Sequence, residues 1–260
     1  MIFSRAKYFL IPSLLLASLF SPSPGLAQDA PPGAGQTRLS LSEIVDNMAK
    51  TNAQRAKDLE HYQGKREYQL DYKGFPGDLH ADMVVRVSYS APSTVEFTEV
   101  SQSGSKLILN RVIKPIMLTE QESIQPANYA RVQITGDNYN FTLLDSQDNG
   151  DGCPYELSVQ PKVTNKFLFR GKIWVDAQDF AVCRIEAEPA KNPSFWIKST
   201  AIHHSFMKVG DFWLPAENNS ASNIRLGGRA TLTIKYEDYQ VQGATKLQTI
   251  AKVSAGASPN

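Results

Sequence analysis

The sequence holds only two cysteines, Cys153 and Cys183, and three tryptophans. It contains no G-x-S-x-G, H-E-x-x-H, C-x-x-C, P-loop or dinucleotide-binding glycine pattern, so no nucleophile elbow, zinc helix, redox dithiol or phosphate cradle is legible. After Phe20 no apolar run is long enough to span a bilayer. A basic surplus is missing as well: with Arg5 and Lys7 set aside, the 27 basic residues become 25 against 26 acidic. A nucleic-acid binder needs excess Lys and Arg to neutralise phosphates, so that class of partner is excluded.

What is present begins with a leader. Arg5 and Lys7 precede the apolar run from Tyr8 to Phe20, and Gly25-Leu26-Ala27 places small residues where signal peptidase requires them. Residues 1–27 read as a signal peptide, with an uncleaved anchor as the alternative. Gln28, not Cys, follows the cleavage point, so the lipid-attachment site of a lipoprotein is missing and a soluble exported protein is predicted. Residues 28–38 are Pro/Gly-rich and read as a disordered mature terminus, 39–242 as a single domain, and 243–260 as a flexible tail.

Export permits a disulfide. In a meander of strands 153–161, 167–175 and 180–188, the outer strands lie two spacings apart, about 9 to 10 Å. A disulfide tolerates a Cα separation below about 7 Å. Cys153 and Cys183 are therefore expected to be two buried, unpaired residues, unless the sheet curls tightly or the strand order differs.

Leu41, Ile44, Val45 and Met48 recur at helical spacing after Ser40, a candidate N-cap, with Glu43 in the first turn. From Tyr62 the period becomes two: Tyr68, Leu70 and Tyr72 alternate with Glu67, Gln69 and Asp71, and Met83, Val85 and Val87 with Val84, Arg86 and Ser88. Val95, Phe97 and the run 106–109 read as further strands. Residues 110–122 return to helical spacing, either as a helix starting near Lys114 with Pro115 in its first turn or as a longer helix kinked there. Strands resume at 130–134 and 139–144. Two hairpins then occupy 167–215, which holds all three tryptophans, and a last strand runs from Arg229 to Tyr239. The fold class is mainly β with helices: ten or eleven antiparallel strands, too many for a flat sheet, curling into an unclosed barrel whose open side an N-terminal and an inserted helix cover.

Candidate chemistry is sparse. His203 and His204 are neighbours on a strand and point to opposite faces, so they cannot share a metal without further ligands. His61 and His80 stand alone, Asp176 and Asp179 flank a turn, and Asp145–Gly152 matches calcium-loop spacing only in part and reads as a hairpin turn. No catalytic, metal or cofactor site is assigned. The aromatic excess is the stronger signal: 12 Phe, 10 Tyr and 3 Trp on strands that curl around an interior, either filling a core or lining an apolar cavity.

The helix from Leu41, the long meander, the inserted helix, GKIWVDAQDFAVCRIEAEP and GDFWLPAENN together resemble the LolA/LolB-type superfamily of outer-membrane lipoprotein-sorting proteins, in particular its less characterised exported members. The likeness covers about Leu39 to Val241. It implies an unclosed barrel plugged by helices, a periplasmic location, and an apolar interior that takes up lipid or lipoprotein acyl chains without catalysis, the membrane being met peripherally. Phe97, Leu107, Val112, Ile116, Phe141, Trp174, Trp196 and Trp213 are the expected cavity residues. A regulatory or scaffolding domain that binds another envelope protein is the alternative. A hydrolase is the third reading, which would need His203 or His204 within hydrogen-bond reach of a Ser and an Asp. In the carrier of that superfamily a basic side chain latches the lid; no residue of this sequence is assigned that role.

Overall fold

A computed structural model describes residues 39 to 249, apart from 148–149, 193, 226 and 244–245. The expected signal peptide, the segment 28–38 and the tail from residue 250 lie outside the described residues. No described helix is long and apolar enough to cross a membrane.

Helix α1 (Leu41–Asp58) starts at a capping box in which Ser40 and Glu43 satisfy each other's backbone donors. Its buried residues, Ile44 and Met48, are four apart and so share one face. The strands β1 (Leu59–Lys73), β2 (Leu79–Ser90) and β3 (Thr94–Gly104) follow as a meander. Beyond three short helical pieces come β4 (Tyr139–Ser146), β5 (Tyr155–Pro161), β6 (Phe169–Val175), β7 (Val182–Pro189), β8 (Ile197–Val209), β9 (Phe212–Ile224), β10 (Arg229–Gly243) and β11 (Lys246–Thr249). All pair antiparallel in the order β3-β2-β1-β10-β9-β8-β7-β6-β5-β4, with β11 on the end of β10. The two edges, β3 and β4, do not pair, so the barrel is not closed. Residues 246–249, expected in the flexible tail, thus add a strand.

The run 106–109, read as a strand, is helical instead. Gly104, at φ 84, ends β3, and a Cβ there would lie 2.3 Å from the His80 carbonyl oxygen. Ser105 then caps α2 (Lys106–Ile108), which passes through a π-helical turn (Leu109–Ile113) into α3 (Lys114–Ser123). Pro115 has no N–H to donate, and the wide turn just before it, where Lys114 N–H reaches back to Leu109 O, is where the helix absorbs that loss. The longer, interrupted helix is therefore the alternative adopted. Residues 130–134 also differ: α4 (Pro126–Val132) carries the chain to Val132 as helix, led by Pro126 in its first turn. An apolar run of four or five residues fits either period, and length alone misleads there.

Cys153 and Cys183 form a disulfide, against expectation. The strand order β5-β6-β7 is as read, but Cys153 lies two residues before β5. Cys183 is the extra residue of a β-bulge between the pairs Val175↔Val182 and Trp174↔Arg184. The bulge and the curl bring the Cα atoms to 6.5 Å, inside the permitted range.

Candidate functional site

Directly paired residues share a sheet face, so the register defines the face that the helices cover. One row crosses nine strands as Met83, Tyr68, Ile234, Asn218, His204, Ile185, Ile173, Leu157 and Leu143. The next row runs Leu70, Leu232, Ser220, Ile202, Ala187, Gly171, Val159 and Phe141. The first row is apolar at its ends and polar in the middle, with His204 on β8 and Asn218 on β9; in the second, Ser220 on β9 is the polar residue.

The covering helices match that division. Ile108, Leu109, Ile113 and Met117 of the α2–α3 segment pack on β1, β2 and β10 in one hydrophobic core. Ile44 and Met48 of α1 pack on β4 to β7 in a second. The half-buried middle of β9, with Asn218, Ser220 and Ser222, belongs to neither core.

A charged pair sits beside that seam. Arg66, on β1, is 3% exposed and donates from Nη2 to Glu120 Oε1 of α3 at 2.8 Å, with a second bond from Nη1 to Oε2. Its guanidinium also lies 4.9 Å from the Tyr236 ring centroid and 5.3 Å from that of Phe97. Burial works against the Arg66 charge, but the bonds to Glu120 and its attraction outweigh this and hold the group protonated. Gln121 Nε2 donates to Val95 O at 2.8 Å, so α3 is tied to β1 and to the edge strand β3.

His204 faces the same seam, stacked on Phe206 at 4.5 Å and on Tyr236 at 6.0 Å. Its Nδ1 accepts from the Asn218 amide at 3.3 Å, which leaves the proton on Nε2, a buried atom with no hydrogen-bond partner among the described residues. Burial, with Arg66 nearby, holds its pKa down at about 4, Glu120 opposing, so the imidazole is neutral at physiological pH.

A pocket of about 350 Å³ opens between α1, the C-terminal end of α4 and the sheet. Asn52, Arg55 and Ala56 of α1 form one wall, Val132 to Ile134 another, and Leu59, Ala181, Val182, Phe206 and Phe212 to Leu214 the sheet side. Arg55 is its one charged lining residue. The guanidinium donates to three neutral oxygens, Asp179 O at 2.9 Å, Asn52 Oδ1 at 2.8 Å and Thr51 Oγ1 at 3.2 Å. The turn that supplies Asp179 O is built by Asp176, whose Oδ1 accepts from the Gln178 and Asp179 amides. Asp179 itself pairs with Lys208 at 2.6 Å and accepts from Trp213 Nε1 at 2.8 Å, fixing that indole in the pocket wall.

No family model and no curated protein matches the chain. Solved structures do. They include a DUF1329 family protein from Desulfovibrio piger (12% identity, 80% of this chain, 95% of that one, TM-score 0.38). A Vibrio parahaemolyticus domain named for outer membrane lipoprotein sorting matches at 12% identity over 79% of this chain and 95% of that one, TM-score 0.39. A LolA superfamily protein from Nitrosomonas europaea matches at 10% identity over 82% and 96%, TM-score 0.32. Likeness at this level says nothing about activity, which must be argued from the site.

The eight residues expected in a cavity are dispersed. Trp213 lines the pocket. Phe97 and Ile116 pack in the first core and Phe141 in the second. Trp174, paired with Arg184 instead of the inward Ile185, faces outward with that guanidinium 3.9 Å over its ring. Leu107, Val112 and Trp196 are exposed, at 61%, 38% and 54%. Among the described residues neither His203 nor His204 has a serine and an aspartate within hydrogen-bond reach: His204 bonds Asn218, and His203 lies 4.0 Å from Glu186. Cys153, Asp176 and Cys183 cluster at metal-ligand distances, but both thiols are used by the disulfide. Arg66 and Arg55 were missed. The first had a signal: stepping back by two from Leu70 and Tyr68 puts a charge on the dry face, which demands a partner.

Proposed function

We propose that this chain is an exported, periplasmic carrier that holds lipid or lipoprotein acyl chains against the inner face of its sheet, without chemistry on its cargo. The observation that carries this reading is the pocket beside α1, lined mostly by apolar side chains with Arg55 as its one charged residue, and inside the volume range of small-molecule sites. Each methylene withdrawn from water is worth about 0.8 kcal/mol, so an acyl chain gains several kcal/mol there. Arg55, bonded only to neutral oxygens, suits a carbonyl, carboxylate or phosphate at the head of the chain. The disulfide fits an oxidising compartment and so supports export. Residues 39–242 would form the carrier domain, with residues 1–27 removed as the signal peptide. Native mass spectrometry of protein purified from the cell envelope tests this: bound lipid is expected, and a ligand-free protein that also fails to take up a fluorescent fatty acid would overturn it.

A further inference from the structure

Three hairpin tips meet at one end of the sheet, and their described residues are 74–78 between β1 and β2, 190–192 and 194–196 between β7 and β8, and 225 and 227–228 between β9 and β10. They are joined to one another. Tyr72 Oη donates to Phe75 O at 2.7 Å and to Gly227 O at 3.4 Å, linking the first tip to the third. Arg225 N donates to Trp196 O at 2.8 Å and Arg225 Nε to Phe195 O at 2.6 Å, linking the third to the second. This end is remote from the pocket, whose residues Leu59 and Phe212 begin β1 and β9.

The joined tips hold aromatic rings out in water. Phe75 is 80% exposed, Phe195 75% and Trp196 54%. Single exposed apolar residues are ordinary, but three rings gathered on hydrogen-bonded tips at one end are an unsatisfied apolar surface. The charge around them is one-sided. Lys73, Lys191, Lys198, Arg225 and Arg229 flank the rings against two acids, Asp78 and Glu188, in a chain that is otherwise nearly balanced. None of the five cations forms an ion pair among the described residues.

We propose that this end docks peripherally on an anionic phospholipid bilayer, with Phe75, Phe195 and Trp196 at the depth of the headgroups and the five cations against lipid phosphates. Aromatic rings favour that depth, and basic side chains are drawn to an anionic surface. Lysine, three of the five cations, is depleted from the cores of protein–protein interfaces, so a bilayer suits the composition better than a protein partner. The docking does not depend on the pocket or on any cargo.

Sedimentation of the exported protein, residues 28–260, with vesicles tests it. Strong partitioning onto phosphatidylglycerol/phosphatidylethanolamine vesicles is expected, weakening with added salt, with little onto phosphatidylcholine alone. Phe75→Ser/Phe195→Ser/Trp196→Ser should lower partitioning at least about tenfold, and brominated lipid should quench the parent's tryptophan emission but not that of Trp196→Phe. Lys73→Gln/Lys191→Gln/Arg229→Gln alters charge alone and should weaken binding to anionic vesicles by a comparable factor, which keeps the test intact if the aromatic variant folds poorly. Absence of vesicle binding, equal binding to phosphatidylcholine, or unchanged binding by both variants overturns the proposal.

Discussion

Arg66, on the buried face of β1, is bonded by both guanidinium nitrogens to Glu120 of the covering helix α3, and the carboxylate offsets the cost of burying that charge. A buried guanidinium left without its carboxylate is far more expensive than the pair is favourable. The pair is therefore sensitive to loss of one partner and tolerant of loss of both.

Glu120→Gln is expected to lower unfolding stability by about 3 kcal/mol, while Arg66→Met/Glu120→Leu recovers most of it. Urea unfolding reads both values. Hydrogen exchange in residues 106–123 should accelerate in Glu120→Gln, because α3 loses its tie to β1; protection equal to the parent's would mean that the pair does not hold the cover.

His204 makes stability depend on pH. Its folded-state pKa of about 4 lies below the ordinary value of 6.5, so between those values the unfolded chain binds a proton that the folded chain refuses. The contribution is complete above about pH 6.5 and lost as pH falls toward 4; for a half-buried ring it amounts to about 2 kcal/mol. His204→Phe keeps the stacking on Phe206 and Tyr236 and should flatten this part of the curve. Thermal melts of parent and variant from pH 7 to pH 4 give the comparison, and parallel curves would refute the assignment.

The disulfide closes a loop of 30 residues between Cys153 and Cys183. In the chain-entropy view it contributes about 3 to 4 kcal/mol. Cys153→Ser/Cys183→Ser should lose about that much, and a reductant should destabilise the parent but leave the variant unchanged. Ala181 and Val182, next to Cys183, line the pocket, so reduction should also weaken uptake of a fluorescent fatty acid.

Period-two alternation and Asp and Gly turns were enough to place most strands, because a half-buried strand writes its two faces directly into the sequence. Helix α1 was legible from its cap and its spacing. What escaped depends on long-range geometry. The bulge at Cys183 shifts one residue relative to β6, a displacement that local sequence does not encode. The four-residue run at 106–109 is too short to reveal its period, and its fate is decided by the cover it forms over β1 and β2. The candidate site was less legible still. The three tryptophans share one stretch of sequence yet lie in a pocket wall, buried under Arg184 on the opposite sheet face, and on a hairpin tip. Strand parity alone could have separated Trp174 from Ile173, but it could not show where Trp196 leaves the sheet.

The pocket can be filled from its exposed rim. Ala56 lies on the exposed side of α1 and lines the pocket, so a larger side chain there enters the space without displacing core residues. Ala56→Trp is expected to leave the melting temperature near the parent's and to cut fatty-acid uptake at least tenfold, since excluding two methylenes from the site forfeits about 1.6 kcal/mol. Arg55→Gln separates head from tail: it retains the apolar volume and should weaken an acyl chain bearing a carboxylate more than the corresponding alcohol. Titration of both ligands against parent, Ala56→Trp and Arg55→Gln measures this. If Ala56→Trp binds as the parent does, the acyl chain does not occupy this pocket. If Arg55→Gln weakens the acid and the alcohol equally, the guanidinium acts through packing and not through charge.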